Sequence, residues 1–299
     1  MTDLEEPLVS IIIPHRNIPH ALARCLDSVV AQRVDVGFEI VVADNSDAPP
    51  DVTPWPQARL ISTPPTGPGP ARNAGAAMAR GRHLAFLDAD CRAGPGWLQA
   101  LVDAFATDPE TGILAGRIET SPLDGEAWTP GAVFESVFAY KQDVYVRRHR
   151  FSSTANLAVR AVVFAEVGGF AGAQSMEDVE WCHRAVRSGH GIRYVEAMTV
   201  RHEPRPTLEQ LSGQCRRLAH QEHHTHVANG RGRLAYLLRI ARVLGYTPPA
   251  IVYLLLHPRH GFRERLAALP VLWRIRTVRA AEMIRLALDP HRPQPPWNG

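Results

Sequence analysis

The sequence predicts an α/β sandwich with a mainly parallel sheet over residues 1–206 and an α-helical region over 207–299. Three observations carry that prediction. Short apolar runs rich in β-branched residues alternate with stretches of helical periodicity in the order β-α-β-β-α-β. Three of these runs end in polar clusters: Pro14-His15-Arg16-Asn17, Asp44-Asn45 and Asp88-Ala89-Asp90. Beyond Pro206 the strand signals stop, and Leu-rich stretches recur with arginine at helix-like intervals.

In chain order, Leu8–Ile13 (LVSIII) reads as a buried strand ended by Pro14. A helix over Ala21–Gln32 puts Leu22, Cys25, Leu26, Val29 and Val30 on one face. Phe38–Ala43 (FEIVVA) is a second strand, and the proline-rich stretch 47–56 is a loop. Arg59–Ser62 is a weaker third strand. After the Gly/Pro turn 64–70, a helix over Ala71–Arg80 is ended by Gly81. His83–Leu87 (HLAFL) is a fourth strand. Trp97–Ala106 then reads as a helix, Ile113–Glu119 as a strand and Asp178–Arg187 as a helix. Gly191–Arg201 is a strand pair or one bent strand, arriving at His202, and 290–299 reads as a flexible tail. Sheets of this type bind ligands outside the carboxyl ends of their strands, so the polar clusters form a candidate site.

Composition narrows the classes. Of 299 residues, 45% are hydrophobic and 21% charged, enough apolar material for a packed core. Four cysteines lie far apart with no CxxC pair, which argues against a disulfide scaffold or a cysteine-built zinc site and suits a reducing, cytoplasmic setting. No uncharged apolar run reaches the ~18–20 residues of a spanning helix, and the acidic start MTDLEEPLVS does not read as a secretory signal. The net charge of +3 hides an asymmetry: 201–299 holds 16 basic and 6 acidic residues, leaving 17 and 24 in 1–200. Nearly all the cations are arginine, with Lys141 the one lysine, and no nucleic-acid motif accompanies them.

Asp88 and Asp90 stand two apart at the end of a strand, so strand geometry would point both to one side. Paired carboxylates repel one another and invite a divalent cation, and oxygen ligation suits Mn²⁺ or Mg²⁺ bridging to a diphosphate. The stretches VSIIIPHRN, EIVVADNSD and GPGPARNAGAAMARGRHLAFLDADC, followed by TANLAVR, GGF and EDVEWCHRAVRSG, together resemble the nucleotide-sugar-binding half of family 2 glycosyltransferases. These are inverting enzymes of GT-A fold, and the resemblance covers about residues 8–203.

The resemblance implies a role for each matching residue. Pro14 and the following residues, Arg16 among them, would line the nucleotide pocket, and Asp44 would hydrogen-bond the base. Arg72 would lie near the diphosphate and Asp88 near the ribose or sugar, with Asn156 a weaker donor contact. Asp90 would hold the metal, assisted by Asp88 and His202. Asp178, beside Glu177, would be the base that deprotonates the acceptor. The implied partners are a nucleoside-diphosphate sugar and a glycan or lipid-linked acceptor. The processive Q(Q/R)xxRW motif is matched only in part by Gln214-Cys215-Arg216-Arg217-Leu218, so transfer of one sugar at a time is expected.

Other features point less sharply. HQEHHTH (220–226) has spacings a metal accepts, yet reads as a solvated helical face. Trp128, Tyr140 and Trp181 are stacking or core residues. The segment 236–285 is a candidate for contact with the inner face of a membrane, for packing on the catalytic domain, or for a homodimer. FLDADC also resembles the strand of haloacid dehalogenase-type phosphatases, and a non-catalytic glycan-binding module is a further alternative.

Overall fold

A computed structural model describes residues 6–172, 175–205, 207–228, 230 and 232–293, without the Arg233 side chain. Six residues of the expected tail, 294–299, lie outside the described set. Strand β1 (Val9–His15) leads into helix α1 (Pro19–Val30), then β2 (Phe38–Asp44), β3 (Ala58–Ser62), α2 (Pro68–Ala77) and β4 (His83–Leu87). Next come β5 (Cys91–Ala93), α3 (Trp97–Thr107), β6 (Thr111–Thr120), α4 (Pro130–Phe138) and α5 (Gln142–Val144). A π-helical turn at Tyr145–His149 precedes β7 (Asn156–Arg160), α6 (Ala161–Val167), α7 (Glu177–Arg187) and β8 (Gly191–His202). Helices α8 (Leu208–Ala228), α9 (Arg233–Gly245), α10 (Thr247–Leu255) and α11 (Phe262–Leu288) complete the chain.

One sheet runs β3-β2-β1-β4-β7-β6-β8-β5. The first four strands of the sequence form its parallel half. The continuous apolar character of β1, β2 and β4 follows from burial on both faces, while β3, at the edge, is only partly buried. Val9, Ile11 and Ile13 pack with Leu22, Leu26 and Trp97 on one face, while Ile12 packs with Phe86 and Trp181 on the other. The second half is mixed: β7 runs antiparallel to β4 and β6, β5 antiparallel to β8, and β6 parallel to β8. Four of the seven junctions are parallel, which keeps the parallel majority.

Two differences from the expected elements, and the outcome where two readings are open, have physical causes. Helix α2 starts at Pro68 rather than Ala71, because proline is tolerated in a first turn whose amides have no helical partner. The segment 191–202 is one bent strand, β8, whose pairing with β6 shifts register between Gly116 and Arg117. Strands β5 and β7 and helices α4 to α6 have no separate sequence signal, being short and bounded by tertiary contacts.

Helix α4 joins the two regions. Its Val133 and Val137 pack against Ala250 and Leu254 of α10 and Ala268 and Leu272 of α11. Leu211 and Cys215 of α8 pack against Val271 and Ile275 of α11, beside Phe134. The helical region is thereby fastened to α4 through a shared core, separate from the two cores that pack on the sheet.

Candidate active site

Strands β1 and β2 pair in register, His15 opposite Asp44, so both end at one edge of the cleft. The His15 Nδ1–H donates to Asp44 Oδ1 at 2.8 Å, while Nε2 accepts from the Ile18 amide at 3.2 Å. Those two bonds fix the tautomer. Asp44 also accepts from the Ser46 hydroxyl at 2.6 Å and the Ser46 amide at 3.2 Å. Asp44 is therefore buried behind His15 and does not line the cleft, whereas Pro14, His15, Arg16 and Asn45 do. The acid expected at the base is placed to orient His15.

Helix α2 brings Arg72 inward. Its guanidinium is 4% exposed and donates to Asp88 Oδ1 at 2.6 Å and to Glu177 Oε1 at 2.8 Å. Asp178 lies close enough to act on the same charge. One cation thus serves three carboxylates. Burial opposes the Arg72 charge, but Asp88 and Glu177 outweigh it and hold the group protonated. Burial also pushes the Glu177 carboxyl up to about 7, against the pull of Arg72. Burial raises half-buried Asp178 as well, partly offset by the Val179 amide, which donates to its Oδ1 at 2.8 Å. Glu177 and Asp178 are not among the residues lining the main cleft.

The turn before α2 is a poorer phosphate cradle than Gly67-Pro68-Gly69 suggests, since Pro68 and Pro70 have no amide to offer. Gly69 has a packing reason instead: a Cβ there would meet the Ala171 carbonyl at 2.5 Å.

Asp88 and Asp90 do not lie side by side. The chain turns after Leu87, with the Cys91 amide bonding to the Asp88 carbonyl, so strand alternation no longer applies. Asp88 turns to Arg72, and Asp90 turns to His202 at the end of β8, with Oδ2 3.2 Å from Nε2. The Tyr140 hydroxyl is 2.9 Å from the same nitrogen. Burial disfavours the charged forms of both Asp90 and His202, yet each sustains the other: the carboxyl is held low and the imidazole is raised. Cys91 Sγ lies close to both, and burial and the neighbouring aspartates push its thiol pKa up.

The donor pair fits a divalent cation. An oxygen and a nitrogen 3.2 Å apart match the roughly 3 Å between adjacent ligands of an octahedral ion with ~2.1 Å bonds. Asp90 opens to the cleft while His202 is buried behind it, leaving coordination positions for a ligand.

The cleft measures about 540 Å³. One wall is the strand-end set already described, and the opposite wall is Glu209, Gln210, Gly213, Arg216 and Arg217 of α8. Between them, Glu203 pairs with Arg24 at 2.6 Å, and Arg205 is clamped to buried Glu135 of α4. Among these lining residues, the sequence names Tyr140 only as a stacking or core residue and Arg216 only within the partial Q(Q/R)xxRW match, and it gives Arg205 no role. The run His202-Glu203-Pro204-Arg205 was the available signal for one of them, since it continues directly from a strand end into the cleft.

Several expected residues sit elsewhere. Asn156 is fully buried, accepting from Trp97 Nε1 at 2.9 Å and donating to the Arg117 and Met198 carbonyls at 2.8 Å each. It braces the β6–β8 irregularity and does not face the cleft. His220, His223 and His226 are buried, not solvated: His220 pairs with Glu282 at 3.0 Å, and the other two pack on the Tyr236 ring. Trp181 is core, and Trp128 packs on His260. Lys141 donates to the Tyr253 hydroxyl at 3.3 Å and does not line the cleft, so the lysine a phosphatase site needs is not beside Asp88.

Residues 10–174 match the family described as glycosyl transferase family 2. The chain is 30% identical over 223 residues to glycosyltransferase AglE of Haloferax volcanii, covering 70% of this chain and 71% of that one. It is 32% identical over 213 residues to the pre-mycofactocin glycosyltransferase of Mycobacterium tuberculosis, covering 67% of this chain and 43% of that one. Among solved structures, the mannosyltransferase PcManGT from Pyrobaculum calidifontis, in complex with GDP-Man and Mn²⁺, superposes with a TM-score of 0.60 at 18% identity over 97% of this chain and 89% of that one. TarS of S. aureus, in complex with UDP-GlcNAc, gives 0.52 at 14% identity over 94% of this chain and 90% of that one. With a GT-A architecture and a matching family model over more than half its length, the chain belongs to glycosyl transferase family 2 and is a glycosyltransferase.

Proposed function

We propose that the protein transfers a single sugar from a nucleoside-diphosphate sugar to an acceptor hydroxyl with inversion, dependent on a divalent cation held by Asp90 and His202. The observation that carries this reading is the Asp90–His202 donor pair opening onto a cleft also lined by Arg16, Arg72, Arg205 and Arg216. Such a wall suits a diphosphate, whose oxygens match arginine's fork of donors. The cation, when bound, would supply positive charge against the departing diphosphate. The imidazole ligand favours Mn²⁺ over Mg²⁺, which prefers an all-oxygen shell.

The reaction breaks the bond between the anomeric carbon and the diphosphate oxygen and forms one to the acceptor oxygen. The electron pair of the broken bond leaves with the nucleoside diphosphate, and the acceptor proton passes to a base. Asp178 is the base in this reading. Its Oδ1 accepts from the Val179 amide, and burial raises its basicity. Arg72 holds Asp88 toward the donor while keeping Glu177 beside Asp178. The acceptor is a glycan or a lipid-linked saccharide.

A thermal-shift screen of nucleoside diphosphates and their sugar conjugates, with and without Mn²⁺, tests the donor reading. A bound ligand raises the melting temperature, and the rise should require Mn²⁺ and vanish in Asp90→Asn. Asp178→Asn should keep that rise and lose turnover. Full turnover in Asp178→Asn would remove it as the base.

A further inference from the structure

We infer that the outer face of α9, α10 and α11 docks on an anionic lipid bilayer. Seventeen large apolar residues lie exposed among the described ones, and all but Met78, Val162, Leu208 and Val227 fall between Leu234 and Leu288. They are ordered, not scattered. Helix α9 exposes Leu234, Leu237, Leu238 and Leu244 and buries only the opposite stripe of Tyr236 and Ile240. Helix α10 exposes Val252, Tyr253 and Leu256, which with Pro248, Pro249 and Pro258 form a shallow apolar groove. On α11, Phe262, Leu266 and Trp273 recur at four- and seven-residue intervals, which puts them on one stripe. An exposed apolar surface of this extent marks an interaction site.

Charge selects the occupant. Residues 233–288 hold ten arginines and two glutamates. Glu282 is buried against His220 and Arg285, and Glu264 bonds to the Gly261 amide at the foot of α11. Arg242, Arg263 and Arg274 are exposed beside the apolar stripes, with no carboxylate partner among the described residues. A second copy of the same face would bring arginine against arginine. Anionic headgroups pair with those cations, and Leu, Val, Trp and Tyr side chains fill the headgroup–acyl boundary. No helix among the described residues is long and apolar enough to cross a membrane, so the contact lies in the surface plane. The face is also tied to the cleft: Tyr253 receives Lys141, next in the chain to Tyr140, which lines it.

The inference is independent of the transfer chemistry and is tested by binding alone. The full chain is co-sedimented with phosphatidylcholine vesicles and with vesicles containing about a third phosphatidylglycerol. The protein should pellet with the anionic vesicles and stay largely in solution with the neutral ones. Val252→Gln with Leu256→Gln should abolish pelleting. Arg242→Gln, Arg263→Gln and Arg274→Gln together should weaken it roughly a hundredfold, from the charge each arginine contributes near such a surface. Unchanged circular dichroism would show that these surface variants fold. No pelleting of the parent protein, equal pelleting with both compositions, or pelleting untouched by either variant set would overturn the proposal. A concentration-dependent dimer dissolved by the Val252/Leu256 pair would overturn it in favour of a second copy.

Discussion

Arg72 is where three separate segments, α2, the turn after β4 and the start of α7, are held in one arrangement. Removing it leaves Asp88 and Glu177 without their cation, and Glu177 is 9% exposed at the side chain. Arg72→Ala should therefore cost about 3–5 kcal/mol, the range for stripping one partner from a buried pair. Arg72→Lys should recover only part of this, since one ammonium cannot reproduce a fork of two bonds. Urea unfolding measures both, and a loss under about 1 kcal/mol for Arg72→Ala would show that the clamp is dispensable. Glu177 adds a pH signature. Its folded carboxyl titrates near 7, above its ordinary value of 4.5, so the folded state binds the proton more tightly than the unfolded one. The sign follows: this group's contribution is most favourable below pH 4.5 and is lost as pH rises toward 7. The stability of Glu177→Gln relative to the parent should therefore improve as pH rises from about 4.5 to 7, since the variant has no carboxyl to ionise in the folded state. A pH-independent difference would mean that Glu177 is ionised throughout.

Elements decide which of the residues named from sequence reach the cleft. Strands β1, β2 and β4 are legible because strands buried on both faces carry unbroken apolar runs, and their polar ends mark one edge. Asp88, Asp90, Arg72 and His202 all line one cleft, but as two separate pairs, Arg72 with Asp88 and His202 with Asp90. What the spacing cannot show is the turn after Leu87, which parts Asp88 from Asp90, or the α8 wall, which lies more than 100 residues along the chain. Asn156 escapes a sequence reading for a related reason. An asparagine on a strand end is equally apt for ligand or backbone, and only the β6–β8 irregularity shows that it serves backbone. Its substitution separates the two roles. Asn156→Ala leaves the Trp97 indole and two carbonyls unpaired and should destabilise by about 3 kcal/mol or more, at roughly 1–3 per buried group. Donor affinity of the folded fraction should stay at the parent value. A selective loss of donor binding at unchanged melting temperature would return Asn156 to the donor site. Gly116 shows the same constraint from the other side. A Cβ there would lie 2.2 Å from Asn156 Nδ2 and 2.3 Å from the Met198 carbonyl, so Gly116→Ala should also unfold at lower temperature.

At the scale of the whole molecule, the division into 1–206 and 207–299 describes composition better than mechanics. The acidic body and the basic helical region share α4: one of its faces completes a core with α10 and α11, and its Glu135 holds Arg205 at the cleft. Helix α8 supplies a full wall of that cleft, so the cleft is finished only when both regions are folded together. Two independent domains would melt separately. A shared core and a shared binding site argue for one cooperative unit, for which calorimetry should show a single transition. A nucleoside diphosphate bound with Mn²⁺ should raise that transition as a whole. Leu254→Ala provides the decisive perturbation, because Leu254 is fully buried on α10 and lines no part of the cleft. Truncating it should cost about 2–5 kcal/mol, the range for a leucine removed from a core. With one cooperative unit, the loss appears in the same transition that the nucleotide raises, and donor binding weakens only through the unfolded fraction. A second transition that moves alone in Leu254→Ala, with the nucleotide-responsive one unmoved, would show instead that the helical region folds apart from the sheet.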